Sequence, residues 1–142
     1  MRLLLTGANG FIGSYFVKQY AHHYDIKKFS FVKDDFEALH VNDIDVIIHL
    51  SALVHQMDGA CQDEYEKINV FQTLALAQKA KKEGVKHFIF MSTVKVYGEE
   101  TNSVYTEKST CNPIDAYGKT KLKAEQALQE LVDEKFKVSI IR

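Results

Sequence analysis

The segment Thr6-Gly7-Ala8-Asn9-Gly10-Phe11-Ile12-Gly13 constrains this chain more than any other. It follows the apolar run Leu3-Leu4-Leu5 and opens a stretch in which Ile12, Phe16, Val17 and Tyr20 recur at helical spacing. A short apolar run closed by glycine predicts a buried parallel strand. Strand, glycines and helix in that order predict a turn that cradles phosphates. Gly7 permits the tight turn, Gly10 lets a pyrophosphate reach the backbone, and Gly13 lets helix and strand pack closely. The helix start adds unpaired N–H groups and the positive end of the helix dipole. No Lys-Ser/Thr pair follows in P-loop register, which disfavours a nucleotide triphosphatase.

The rest of the chain repeats the strand–helix alternation. A second strand is expected over Lys28–Val32, with Phe29 and Phe31 alternating, then a short helix or turn over Asp34–His40. Asp45–Leu50 reads as a buried strand. A long helix follows over Glu64–Lys82, with Ile68, Phe71, Leu74, Ala75 and Gln78 on one face and Gly84 as its cap. Val85–Met91 is the next strand, Gly98–Asn102 a polar loop, Ala116–Glu134 a helix and Val138–Ile141 a final strand. Strands alternating with helices of this length predict an α/β fold: a doubly wound parallel sheet of Rossmann type, in three α/β/α layers, as one domain over 1–142. Such sheets bind ligands at the carboxyl ends of their strands.

Composition narrows the partners. The chain has 142 residues and 18 Lys+Arg against 19 Asp+Glu, a net charge of -1, so it carries no basic excess for a nucleic acid. No apolar run reaches bilayer-spanning length, and the N-terminal apolar stretch is too short for a signal peptide. Cys61 and Cys111 stand fifty residues apart with no metal-ligand spacing, and His22-His23 diverge on a helix, so no metal site is expected. These features together predict a reduced, cytoplasmic chain without nucleic-acid or membrane partners.

Tyr117 and Lys121 are four apart in a helical segment and share a face. Ser92-Thr93 follows directly on the strand ending at Met91. A phenol with an ordinary pKa near ~10 is a poor base at neutral pH. A lysine ammonium one turn away and a bound nicotinamide would favour the phenolate. The Thr93 hydroxyl would bond the substrate oxygen, which suits oxidation of an alcohol by loss of a proton and a hydride.

TGANGFIG, HLSAL, STVKVYG and YGKTK, in this order, resemble the extended short-chain dehydrogenase/reductases, and among them the NAD-dependent epimerase/dehydratase family acting on nucleotide sugars. The resemblance implies Thr93, Tyr117 and Lys121 as catalytic residues. It implies cofactor contacts from Gly7, Gly10, Phe11, Ile12 and Gly13, from Leu50, Ser51 and Ala52, from Asn69 of the central helix, and from Tyr117 and Lys121. An acid near the end of the second strand would grip the adenosine ribose; Asp34 and its neighbour Asp35 are the candidates, while adjacent Lys33 would suit a 2′-phosphate. NAD is therefore expected, with NADP left open. The stretch from Gly13 to His49 is short for such a family, as though the second and third strands with their connecting helix were compressed. The resemblance also implies a C-terminal substrate domain that this chain lacks, and a homodimer through its two long helices.

Val94-Lys95 stands where related dehydratases carry an Asp-Glu pair, which argues against 4,6-dehydration. A UDP-sugar 4-epimerase is expected first; the alternatives are a 4-keto-sugar-nucleotide reductase and a dinucleotide-binding module inactive in isolation. Lys95 reads as a solvated loop lysine or an extra acid/base. His49 reads as structural, His55 as a candidate contact to substrate or nicotinamide, and Tyr97 as packing.

Overall fold

The computed structural model describes residues 1–54, 61–98 and 104–142. Five parallel strands, β1 (Arg2–Thr6), β2 (Asp25–Phe29), β3 (Val46–His49), β4 (His87–Met91) and β5 (Lys137–Ile141), form one sheet in the order β2-β1-β3-β4-β5. The helices are α1 (Phe11–Tyr20), α2 (Gln62–Tyr65), a π-helical segment Glu66–Gln72, α3 (Thr73–Lys82) and α4 (Ala116–Gln129). From β1 the chain steps outward through α1 to β2; from β3 it steps the other way through α3 and α4. Right-handed crossovers moving in opposite directions put their helices on opposite faces of the sheet. This is the expected doubly wound fold.

The core lies on the α3/α4 face. Leu4, Ile47, Phe88 and Phe90 from the strands meet Leu76, Ala77 and Ala80 of α3, Ala124 and Leu128 of α4, and Phe136. Each such side chain taken fully out of water contributes roughly 1.5–3 kcal/mol. The other face is thinly clad. Leu3 and Leu5 are buried there, but Val46, Ile48, Ile89 and Met91 are half-buried, and in α1 only Gly13 is buried.

Several boundaries differ from the sequence reading. The second strand is Asp25–Phe29, not Lys28–Val32. Asp34 accepts from the Ser30 amide at 2.8 Å and turns the chain, so Phe31 leaves the ladder and stacks on Phe36 at 5.6 Å. The compression inferred from chain length is real: no helix joins β2 to β3. Instead the turns of 30–45 cross the α3 face and bury Leu39, Val41 and Ile44, with the Val41 amide donating to Glu83 at 2.6 Å. The last helix stops at Gln129 rather than Glu134, because Asp133 accepts from the amides of Lys135 and Phe136 and turns Phe136 into the core.

The long helix presents a different face from the one expected. Tyr65, Asn69, Val70, Thr73, Leu76, Ala77 and Ala80 are inside; Phe71 and Gln78 are outside, with Ile68, Leu74 and Ala75 half-buried. Apolar periodicity favours the outer stripe because polar side chains such as Asn69 and Thr73 add nothing to an apolar face. Both have buried partners, described below.

Candidate active site at the carboxyl edge

The glycine turn sits at the carboxyl end of β1. Gly7 has φ +69°, a conformation that L side chains rarely adopt, and a Cβ there would meet the Leu50 and Ser51 backbone at 2.8 Å. A Cβ at Gly13 would lie 2.2 Å from the Gly7 carbonyl, so only glycine lets α1 start this close to the strand. Gly10 caps α1, and Phe11 and Ile12, the first residues of its first turn, are exposed with their amides unused by the helix. A cavity of about 230 Å³ opens here, lined by Gly7 to Gly10, Lys28 to Asp34 and Ser51. An open backbone cradle with no Cβ at its mouth fits the pyrophosphate of a dinucleotide, so the glycine residues suit the expected cofactor. Asp34 lies in the wall, but one of its oxygens is held by the Ser30 amide; Asp35 is outside it, accepting from the Glu37 amide.

The segment after β3 is fixed from two sides. The Ser51 amide donates to the Thr6 hydroxyl at 3.2 Å, and that hydroxyl is also hydrogen-bonded to Nδ1 of His49 at 2.7 Å. The other ring nitrogen, Nε2, is hydrogen-bonded to the Thr73 hydroxyl at 2.9 Å. Burial holds the His49 pKa down to about 3, helped by the Lys121 charge, so the ring is neutral and structural, as its strand position suggested. Asn69 accepts from the Leu53 amide at 2.8 Å and donates to the Leu53 carbonyl at 3.0 Å and to Thr120 at 3.3 Å. It thereby ties the Leu50–Leu53 stretch to α4. A π-helical segment is rare and recurs at functional sites; here it carries the residue that pins the site loop. His55 and most of the polar loop after Gly98 lie outside the described residues.

Thr93 follows β4 and caps a short 3-10 turn, Val94–Tyr97, accepting from the Lys95 amide at 3.2 Å. Asp115 caps α4 through the Gly118 amide at 2.6 Å, which sets Tyr117 in the first turn, half-buried, with the Thr93 hydroxyl near enough to its phenol to act on its pKa. Thr93 and Tyr117 therefore stand near one another on this edge of the sheet. Burial, then the Asp115 charge, pushes the Tyr117 pKa up, while the nearby Thr93 hydroxyl and the Lys95 charge pull it down. Lys95 remains partly solvated, with 38% of its side chain exposed, and its ammonium pairs with Asp115 at 2.6 Å. Lys121 is turned inward. It is 1% exposed, donates to the Met91 carbonyl at 2.5 Å and lies 3.9 Å over the Phe90 ring. Burial lowers its pKa to about 7, with Glu125 pulling it back up.

Sequence reasoning missed Glu125, one turn beyond Lys121. It is buried, accepts from the Ser92 hydroxyl, and receives the Arg142 guanidinium through Nη2 at 2.6 Å. A second Arg142 nitrogen, Nη1, donates to the Tyr97 hydroxyl at 2.8 Å, and Tyr97 stacks on Tyr105 at 4.9 Å, so Tyr97 packs as expected. The signal was present: Tyr117, Lys121 and Glu125 are spaced by four and share one helix face.

A family model described as the RmlD substrate binding domain matches residues 1–142. The chain belongs to that family. This RmlD-type chain is 35% identical over 164 residues to the UDP-glucose 4-epimerase of Vibrio cholerae, covering 99% of itself and 50% of that protein. The UDP-glucuronic acid 4-epimerase of Bacillus cereus, solved in complex with NAD, superimposes with a TM-score of 0.85 at 26% identity, over 100% of this chain and 56% of that one. The dTDP-4-dehydrorhamnose reductase of Clostridium acetobutylicum gives 0.82 at 29% identity, over 99% and 52%. The RmlD-type chain thus spans about half the length of these relatives. Its likeness to the extended short-chain dehydrogenase/reductases rests on the whole sheet and not on the motifs alone. Among the described residues, no helix is long and apolar enough to cross a membrane.

Proposed function

We propose that this chain is the cofactor-binding and catalytic portion of a nucleotide-sugar 4-epimerase acting on a UDP-sugar. The observation that carries the reading is the meeting of Thr93 and Tyr117 on the same sheet edge as the open glycine cradle. A nicotinamide dinucleotide bound in that cradle would supply reversible hydride transfer at the sugar C4. Thr93 would hold the C4 oxygen by a hydrogen bond. Tyr117 would take the hydroxyl proton and return it, its phenol tuned between Asp115, which favours the protonated form, and Lys95, which favours the ionised one. Lys121 would hold the nicotinamide ribose after turning from the Met91 carbonyl. Asn69 and His49 would hold Leu50, Ser51 and Ala52 along the cofactor.

Val94-Lys95 in place of the Asp-Glu pair of related dehydratases favours epimerisation over dehydration. A second reading, a 4-keto-sugar-nucleotide reductase, is supported by the rhamnose-pathway reductase fold match and by the family model itself. Epimerisation needs a sugar held firmly against the nicotinamide, and such positioning lowers a barrier by roughly 7–11 kcal/mol. The 142-residue chain alone is therefore proposed to bind cofactor without turnover. The exposed Phe71 on the long helix supports a homodimer through that helix and α4, which sedimentation equilibrium tests.

The test is interconversion of UDP-glucose and UDP-galactose, or their N-acetyl forms, by protein that joins this chain to its substrate domain. Tyr117→Phe should reduce turnover by about 10²–10⁴-fold with cofactor affinity unchanged. Undiminished turnover removes the mechanism. Consumption of reduced cofactor with a 4-keto sugar nucleotide, without interconversion, selects the reductase reading.

A further inference from the structure

Glu125 is a buried acid beneath the site that the proposed chemistry does not use. It lies about two turns beyond Tyr117 on the same face of α4. Its carboxylate accepts from the Ser92 hydroxyl and from Nε and Nη2 of Arg142, at 3.1 and 2.6 Å. Arg142 in turn donates through Nη1 to the Tyr97 hydroxyl at 2.8 Å. Ser92 immediately precedes Thr93, and Tyr97 closes the 3-10 turn that Thr93 caps. One carboxylate therefore holds both ends of the segment that carries Thr93, and it does so from the helix that carries Tyr117.

The backbone turns this hold into aim. Thr93 is extended, with φ -157° and ψ 148°. Along extended backbone successive side chains point to opposite sides. Ser92 is turned into the buried Glu125, so Thr93 is turned away from it, and its hydroxyl comes near the Tyr117 phenol. Pinning the Ser92 side chain thus fixes the roll of the chain at Thr93. Other ties keep the segment in place without setting that roll from a side chain: the Ser92 amide on the Ile141 carbonyl at 2.7 Å, and the Lys95–Asp115 ion pair at 2.6 Å.

We propose that Glu125 is a positioning residue of this site: through Ser92 it aims the Thr93 hydroxyl at the Tyr117 phenol. The proposal rests on the Thr93–Tyr117 pair of the reading above and deepens it. The titratable groups that act on the phenol are Asp115, Lys95 and Tyr65, with the Thr93 hydroxyl beside them. A hydroxyl aimed at the phenol favours its ionised form, so losing that aim raises the Tyr117 pKa. Deleting a nearby negative charge does the reverse and lowers it. The sign of the shift separates a brace from a charge.

The experiment is an NMR titration of the 142-residue chain, without cofactor or substrate, labelled with carbon-13 at the tyrosine ring carbon that bears the hydroxyl; Tyr117→Phe assigns the signal. Ser92→Ala, which removes the brace and no charge, should raise the Tyr117 pKa by about half a unit or more, the size of one hydrogen bond lost to the phenolate. Glu125→Ala should raise it similarly, while Glu125→Gln, which keeps an acceptor for Ser92, should stay close to wild type. Thr93→Val should raise it as much as Ser92→Ala, and the two together no further, because the serine acts through the threonine. In the same samples at neutral pH, nuclear Overhauser contacts between the Thr93 methyl and the Tyr117 ring should be lost in both alanine variants and kept in Glu125→Gln. That second measurement decides for any variant that unfolds in alkali, and Ser92→Ala decides if Glu125→Ala does not fold at all. An unshifted pKa in Ser92→Ala overturns the proposal, as do a lowered pKa in both Glu125 variants and unchanged contacts in the alanine variants; all three leave the dinucleotide reading standing. A Thr93→Val chain with the wild-type Tyr117 pKa removes the pair itself, and with it both this proposal and the observation that carries the proposed function.

Discussion

Removing Glu125 tests whether the site is held from beneath. The carboxylate is 1% exposed and has three attachments: the Ser92 hydroxyl, Arg142 Nη2 at 2.6 Å and Arg142 Nε at 3.1 Å. Glu125→Ala leaves the buried Ser92 hydroxyl without an acceptor, which costs about 1–3 kcal/mol. It also strands Arg142, and breaking a buried pair by deleting one partner costs about 3–5 kcal/mol. The guanidinium keeps 21% of its side-chain exposure and its bond to Tyr97, so the loss belongs near the lower figure, about 3 kcal/mol. For a domain this size each kcal/mol moves the melting midpoint by roughly 3–5 °C, giving a fall of about 9–15 °C. Glu125→Gln keeps an acceptor for Ser92 and should lose about half as much. Urea unfolding of both variants measures this, with an unchanged denaturant slope as the sign that only the folded state was altered. An alanine variant within about 1 kcal/mol of wild type would refute the network as a support.

Gly13→Ala drives a methyl to 2.2 Å from the Gly7 carbonyl, with backbone on both sides and nothing flexible to yield. It should destabilise the chain by about 2 kcal/mol or more and abolish dinucleotide binding; calorimetry showing wild-type affinity would contradict the cradle geometry. His49 has a folded pKa near 3 against an unfolded value near 6.5, so the unfolded chain takes up the proton first as pH falls. Its contribution to stability is complete above about pH 6.5 and is lost on the way down to about pH 3, at up to about 1.4 kcal/mol per pH unit. The stability difference between wild type and His49→Gln should therefore narrow between pH 7 and pH 4; a constant difference would mean that His49 carries no proton linkage.

Much of the site was legible because it follows from local backbone needs. Gly7 and Gly13 announce a turn that no other residue can make, and Tyr117 and Lys121 share a face by spacing alone. The fold followed from the same alternation of apolar runs and helical periods. What escaped were features in which polar groups find partners far along the chain. Asn69 was expected beside the cofactor, but spacing does not show its bonds to Leu53 and Thr120, nor that of Thr73 to His49. Glu125 shares a helix face with Tyr117 and Lys121, but spacing does not show that Ser92 and Arg142 close around it. The end of β2 was misjudged because Phe31 continues the alternation, while an Asp34 side chain four residues after Ser30 ends the ladder. Lys121 was expected to serve the Tyr117 phenol; the structure aims its ammonium at the Met91 carbonyl, a direction that spacing cannot reveal.

The bare edge of the sheet at β2 has a kinetic meaning. This strand hydrogen-bonds on one side only, to β1, and its continuation crosses the sheet without a helix to clamp it. Such elements open at lower free energy than the strands at the centre, so the amides of Asp25–Phe29 should exchange with deuterium well before those of β3 and β4. Yet this edge carries the wall against which an adenosine would rest. A ligand seated there must first quiet the edge, and part of its intrinsic affinity goes into that ordering. Binding would then register most strongly as slowed exchange along β2, at a distance from the phosphates, and a second ligand arriving at the stilled edge would bind more tightly than the first with no further change of shape.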